Sequence, residues 1–127
     1  NIDFFSDKLD MRYLLEEHRI LVTSQSTSTL SWPVMTGKPV IFINWKNNCP
    51  LTDDAHSSLS KGLFVFDDND VGFHDKLRDF LSQPIEEIER LWELKRVYRK
   101  DMMVEFFSTY DSGAGARSAN IILEKYF

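Results

Sequence analysis

The chain has 127 residues, 43% of them hydrophobic and 28% charged, which fits one soluble globular domain and no more. A net charge of −5 excludes wholesale nucleic-acid binding, which needs a basic face, but leaves room for one small anionic ligand that feels a local field. The single cysteine, Cys49, excludes a disulfide within these residues, and no run approaches the roughly 18 apolar residues of a membrane span.

The chain opens Asn1-Ile2-Asp3 without Met and is expected to be a piece of a longer protein or a processed product. Asn1–Asp7 reads as a tail. Asp10 is placed to cap a short helix, Met11–Glu17, with Met11, Leu14 and Leu15 at helical spacing. Ile20-Leu21-Val22 is a short apolar run of the kind that forms a strand buried on both faces. A hydroxyl-rich turn, Ser24–Thr29, leads to a helix over Leu30–Thr36, where Pro33 lies near enough to the start to be tolerated and Gly37 is the stop. Pro39–Asn44 is a second strand.

Trp45–Lys61 shows no clean period and reads as a long irregular loop. Gly62–Phe66 is a third strand and Phe73–Leu81 a helix. Pro84 opens a long helix to about Phe107, with Ile85, Ile88, Trp92, Tyr98, Met102 and Phe106 along its buried stripe. Its polar face is expected to form i,i+4 ion pairs such as Glu86–Arg90. Asp111–Gly115 breaks the chain before a last helix, Ala116–Tyr126. Strands alternating with helices predict parallel βαβ units with right-handed crossovers. The expected fold class is therefore α/β, a partial Rossmann-like domain of three parallel strands with flanking helices, with residues 84–127 as a C-terminal helical segment.

Six of the seven residues from Thr23 to Thr29 are Ser or Thr. They leave the carboxyl end of a parallel strand and enter a helix, the place where open α/β sheets bind ligands and where unpaired N–H groups favour an anion. Phosphate contact by the turn is one reading; capping of the helix by Ser28 or Thr29 is the other. No dinucleotide fingerprint or Walker loop is present. His18, His56 and His74 lack metal-ligand spacing. His18, beside a strand, reads as structural and His74 as surface, while His56 in the long loop is either solvated or within reach of a ligand. Asp67 and Asp68 follow the third strand, where a carboxylate can meet a ribose or sugar hydroxyl or simply form a polar turn. Cys49 has no partner that would make it a nucleophile.

Asp10-Met11-Arg12-Tyr13-Leu14-Leu15, Ile20–Ser24, Ser26-Thr27-Ser28 and Gly37-Lys38-Pro39-Val40-Ile41 together resemble the donor-binding, C-terminal half of GT-B glycosyltransferases. The nearest likeness is to the surface-polysaccharide and CDP-glycerol glycerophosphotransferase-like group, whose closing D-G-x-A-x-x-R segment is similar to Asp111–Arg117. The resemblance implies a nucleotide-activated sugar or polyol-phosphate donor, with Ser24, Ser26, Thr27, Ser28 and Thr29 at its diphosphate. It implies no metal and no cofactor besides that donor, and an acceptor site in a missing N-terminal domain. Trp32 stands where many members carry a ribose-binding Glu, and Ser31 where the nearest group carries Asp. Asp67, with His56, is then the expected sugar or ribose contact. If nothing replaces the acid, the expected function is a non-catalytic interaction or assembly module of degenerate GT-B fold. No catalytic base is legible. A cytoplasmic location is expected, with any contact at the inner membrane face made through the missing part, and an exposed sheet edge would favour self-association.

Overall fold

The computed structural model describes residues 11–107 and 113–126. The expected tail, the Asp10 cap and Asp111–Ser112 of the chain break lie outside the described residues. In chain order the elements are α1 (Met11–Leu14), β1 (Leu21–Thr23), α2 (Ser31–Met35), β2 (Val40–Asn44), α3 (Asp53–Gly62), β3 (Phe64–Asp67), α4 (Phe73–Leu81), α5 (Ile85–Leu94), α6 (Arg96–Phe106) and α7 (Ala114–Tyr126). Short 3-10 turns at Leu15–Glu17 and Ser28–Leu30 extend α1 and precede α2. The three strands form one parallel sheet in the order β1-β2-β3, so the expected α/β class with flanking helices is what the chain adopts.

β2 is the central strand. Val40, Ile41, Phe42 and Asn44 are all buried, as a strand covered on both faces requires. Side chains alternate across a strand, so the register divides the sheet cleanly. Val22, Ile41, Ile43, Phe64 and Phe66 share one face; Leu21, Thr23, Phe42, Asn44, Val65 and Asp67 share the other. On the first face Phe64 packs against Phe80 of α4 and Trp92 of α5, with ring centroids 4.7 and 5.7 Å apart. On the second lies α3, whose His56 reaches Asp67.

Two expectations are corrected. The stretch Trp45–Lys61, expected to be a loop, holds most of a ten-residue helix, α3, which ends at Gly62, so the third strand starts only at Phe64. Thr52 starts it: its hydroxyl accepts from Ala55 N–H, and Asp53 and Asp54 occupy the first turn, where carboxylates suit the helix dipole. The helix expected over 84–107 is two helices, divided at Lys95. One straight rod cannot pack on Trp92's side of the sheet and also along α3. The turn at Lys95 lets α5 serve the first face while α6 lies beside α3. Lys95 Nζ then donates to Ser60 O and Lys61 O at the end of α3, at 2.7 and 3.3 Å. Burial lowers the pKa of this ammonium, and nearby Arg99 adds to the shift.

The break also changes the phase of the buried stripe. Ile88, Trp92, Met102 and Met103 are buried, whereas Tyr98 and Phe106 are exposed. Arg90 pairs with Glu87 at i,i+3 in place of Glu86, which faces Arg19. Arg19 also grips Glu89 through two bonds of 3.0 and 2.7 Å, joining α5 to the segment before β1 and holding the Glu89 carboxyl below its ordinary range.

Gly37 sits at φ 75°, the left-handed conformation that stops α2 as expected, and its carbonyl accepts Trp92 Nε1 at 2.7 Å. α7 is exposed along its described length, Ile122, Leu123 and Tyr126 included. No helix among the described residues is long and apolar enough to cross a membrane.

Gly62 ends α3 where α6 crosses it. A Cβ there would stand 2.8 Å from Met102 Sδ and 3.2 Å from Arg99 Cα. Gly62→Ala is therefore expected to destabilise the fold by about 1–3 kcal/mol through overpacking. Urea unfolding measures it, and a midpoint equal to or above wild type would contradict the close α3–α6 approach.

Candidate functional site

The turn after β1 forms one wall of a cleft of about 580 Å³. Ser26, Thr27, Ser28 and Ser31 line this wall, and Met35 extends it. Pro50, Leu51 and Thr52, in the segment that leaves β2, form the opposite wall together with Ala55 of α3. Leu59, Met103 and Phe107 are among the apolar side chains that complete the lining. The cleft thus lies between the segments leaving the carboxyl ends of two parallel strands, and its size is within the range of small-molecule sites.

The hydroxyl turn has a definite local structure. Thr27 is extended, at φ −94° and ψ 178°, and its carbonyl accepts Leu30 N–H at 2.9 Å to close the 3-10 turn. Ser31 Oγ donates to Ser28 O at 2.7 Å, and the hydroxyls of Thr27 and Thr29 lie 2.7 Å apart. The capping reading placed Ser28 or Thr29 at the helix start. The cap positions are instead Thr27 for the 3-10 turn and Leu30 for α2, and neither makes a side-chain cap bond. Pro33 falls in the first turn of α2, where its missing N–H would have had no intrahelical acceptor.

Of the five residues assigned to a diphosphate, Ser26, Thr27 and Ser28 line the cleft. Ser24 and Thr29 are not among its lining residues. Among the described residues, no lysine, arginine or histidine lines the cleft. Any anion there would be met by hydroxyls and by N–H groups at the start of the helical turn, whose first donors have no intrahelical acceptor.

His56 and Asp67, named separately in the sequence, meet each other. His56 Nε2 lies 3.1 Å from both carboxylate oxygens of Asp67, and its Nδ1 lies 3.5 Å from Ser60 Oγ. Asp67 also accepts from Asn44 Nδ2 at 2.6 Å and lies 3.7 Å from Lys46 Nζ. Neither His56 nor Asp67 lines the cleft; they occupy another side of α3, over the end of β3. Asp68 takes a different partner, accepting Lys46 N–H at 2.8 Å. His18, read as structural, is exposed beside β1, and His74 is exposed as expected.

The far wall of the cleft is assembled from segments distant in sequence. Leu51 and Phe107 are 56 positions apart and meet only through the tertiary fold, so no local spacing announces them. Thr52-Asp53-Asp54 was the one signal available, a helix start that would have placed Ala55 and Leu59 on one side at i,i+4.

The chain matches no protein-family model, no curated protein and no solved structure.

His56→Ala removes the bond that joins α3 to the end of β3. The pair is partly solvated, which limits its worth to about 1 kcal/mol. Chemical denaturation should show a loss of that order, and an unchanged midpoint would mean that the contact contributes nothing to the fold.

Proposed function

We propose that the chain is the donor-binding part of a transferase of surface-polysaccharide biosynthesis, and that its cleft takes a nucleotide-activated sugar or polyol phosphate. One observation carries the reading: the Ser26–Ser28 turn, leaving the carboxyl end of β1, forms a wall of the cleft. The resemblance of Ser26-Thr27-Ser28 and Gly37–Ile41 to the donor half of GT-B enzymes supports the same assignment. In this reading the hydroxyls of Ser26, Thr27 and Ser28 donate to the diphosphate, and the N–H groups of the turn add fixed partial positive charge. Donors aimed at the diphosphate matter most as it leaves, because negative charge then builds on its oxygens. The acceptor and the base that activates it belong to another part of the protein.

A second reading has its own support. Among the described residues the cleft lining holds no cationic side chain, and Ser31 and Trp32 stand where the resembled enzymes hold the ribose through a carboxylate. These two features fit a module that kept the fold for assembly and lost nucleotide binding.

Calorimetry with CDP, UDP and GDP separates the two. The donor-binding reading expects one of these to bind, and the double substitution Ser26→Ala with Ser28→Ala to weaken it on the order of tenfold, the worth of one or two hydrogen bonds. A folded protein that binds none of them would sink this reading in favour of the assembly module.

A further inference from the structure

Asn44 is the last residue of β2 and has no solvent exposure. Its amide works in two directions. Oδ1 accepts Leu51 N–H at 3.1 Å, and Nδ2 donates to Asp67 Oδ1 at 2.6 Å. The first bond fastens the segment that leaves β2 back onto the strand end. The second fastens the amide to the neighbouring strand, where Asp67 is its register partner. Leu51 and its neighbours Pro50 and Thr52 form the far wall of the cleft, and Thr52 caps α3. Lys46 ties the start of the intervening loop to Asp67 and Asp68 at the end of β3, and bonds from Asn48 N–H and Cys49 N–H to Trp45 O shape the loop itself, but none of these reaches its Pro50–Thr52 end.

We propose that Asn44 is the positioning residue of the cleft: its amide sets where the Pro50–Thr52 wall stands, and so how closely the cleft holds a nucleoside diphosphate. The ligand half of this statement rests on the donor-binding reading; the wall half does not. Asparagine suits the place because one planar group supplies both a donor and an acceptor. Leucine supplies neither. Aspartate keeps the acceptor, loses the donor and sets a second carboxylate against Asp67.

The test uses that last difference. In Asn44→Asp, repulsion from the Asp67 carboxylate turns the new carboxylate away from Leu51 N–H, so the Leu51 amide is expected to exchange with solvent on the order of tenfold faster than in wild type, while the amides of Val40–Ile43 stay protected. CDP affinity, where wild type binds CDP, falls by a similar factor. Adding Asp67→Asn exchanges the roles. The carboxylate at position 44 accepts from Leu51 N–H and from the amide at position 67, whose oxygen then faces His56. The paired variant is expected to restore both Leu51 protection and CDP affinity, a rescue that general damage to the core would not allow.

Wild-type exchange at Leu51 in Asn44→Asp would overturn the proposal. So would a folded paired variant whose Leu51 amide still exchanges fast. If Asn44→Asp alone does not fold, the paired variant decides by the same criterion. Failure of wild type to bind CDP or any other nucleotide removes the donor-binding reading, while Leu51 exchange still decides the role of Asn44.

Discussion

Burying the end of a central strand is the constraint on which the carboxyl edge of this fold depends. β2 is covered on both faces, and its last residue carries a polar amide. A buried amide without partners costs free energy, so its donors and acceptor must be met. Asn44 meets them with Leu51 N–H on one side and Asp67 on the other. Asp67 is then engaged by His56 as well, and through His56 the helix α3 is drawn over the strand ends. No buried side-chain polar atom among the described residues lacks a partner. The polar chemistry at this edge is a consequence of finishing the sheet, and the cleft wall is positioned by the same bonds.

The amino edge solves a different problem. Two helical layers must be joined around a small sheet, and the α5–α6 turn at Lys95 does this. Trp92 Nε1 reaches Gly37 O just ahead of β2, and Arg99 stacks 3.8 Å over the Trp92 ring while its Nη1 donates to Trp92 O. Lys95 meets the last carbonyls of α3, which a helix end leaves without intrahelical donors. Gly62 permits the closest approach of α6 to α3. These contacts hold the layers together on the side away from the cleft. The division is a common one in α/β domains, with packing at the amino ends of the strands and ligand chemistry at the carboxyl ends.

How much of this could be read beforehand depended on range. β1, β2 and β3 are short apolar runs separated by helical segments, and that local alternation sufficed for a parallel α/β sheet, with strand ends displaced by a residue or two. Gly37 was legible because one residue type answers one backbone conformation. α3 was not, because its residues Asp53–Gly62 are mostly polar and only Ala55 and Leu59 face the cleft, leaving the Thr52 cap as the main clue. The break at Lys95 involves neither Gly nor Pro, so it is imposed by packing on both sides of the sheet. The hydroxyl turn is contiguous and could be named from sequence. The His56–Asp67 pair and the Leu51 wall required α3 to be folded before the residues could meet.

The chemistry of the cleft narrows what it can hold under the donor-binding reading. Its polar wall consists of neutral hydroxyls and N–H groups, and α2 has only five residues, so the dipole behind those N–H groups is short. A bare diphosphate would exchange strong hydration for a small number of neutral hydrogen bonds, with little net gain. The rest of the lining is largely apolar, including Leu30, Leu51, Leu59, Met103 and Phe107. Apolar contact contributes about 0.8 kcal/mol for each methylene-sized group withdrawn from water. Affinity in such a site would come chiefly from the body of the ligand, with the Ser26–Ser28 turn setting its orientation. A nucleotide-linked donor, carrying a ring system beside its diphosphate, has that division of labour, whereas free phosphate does not.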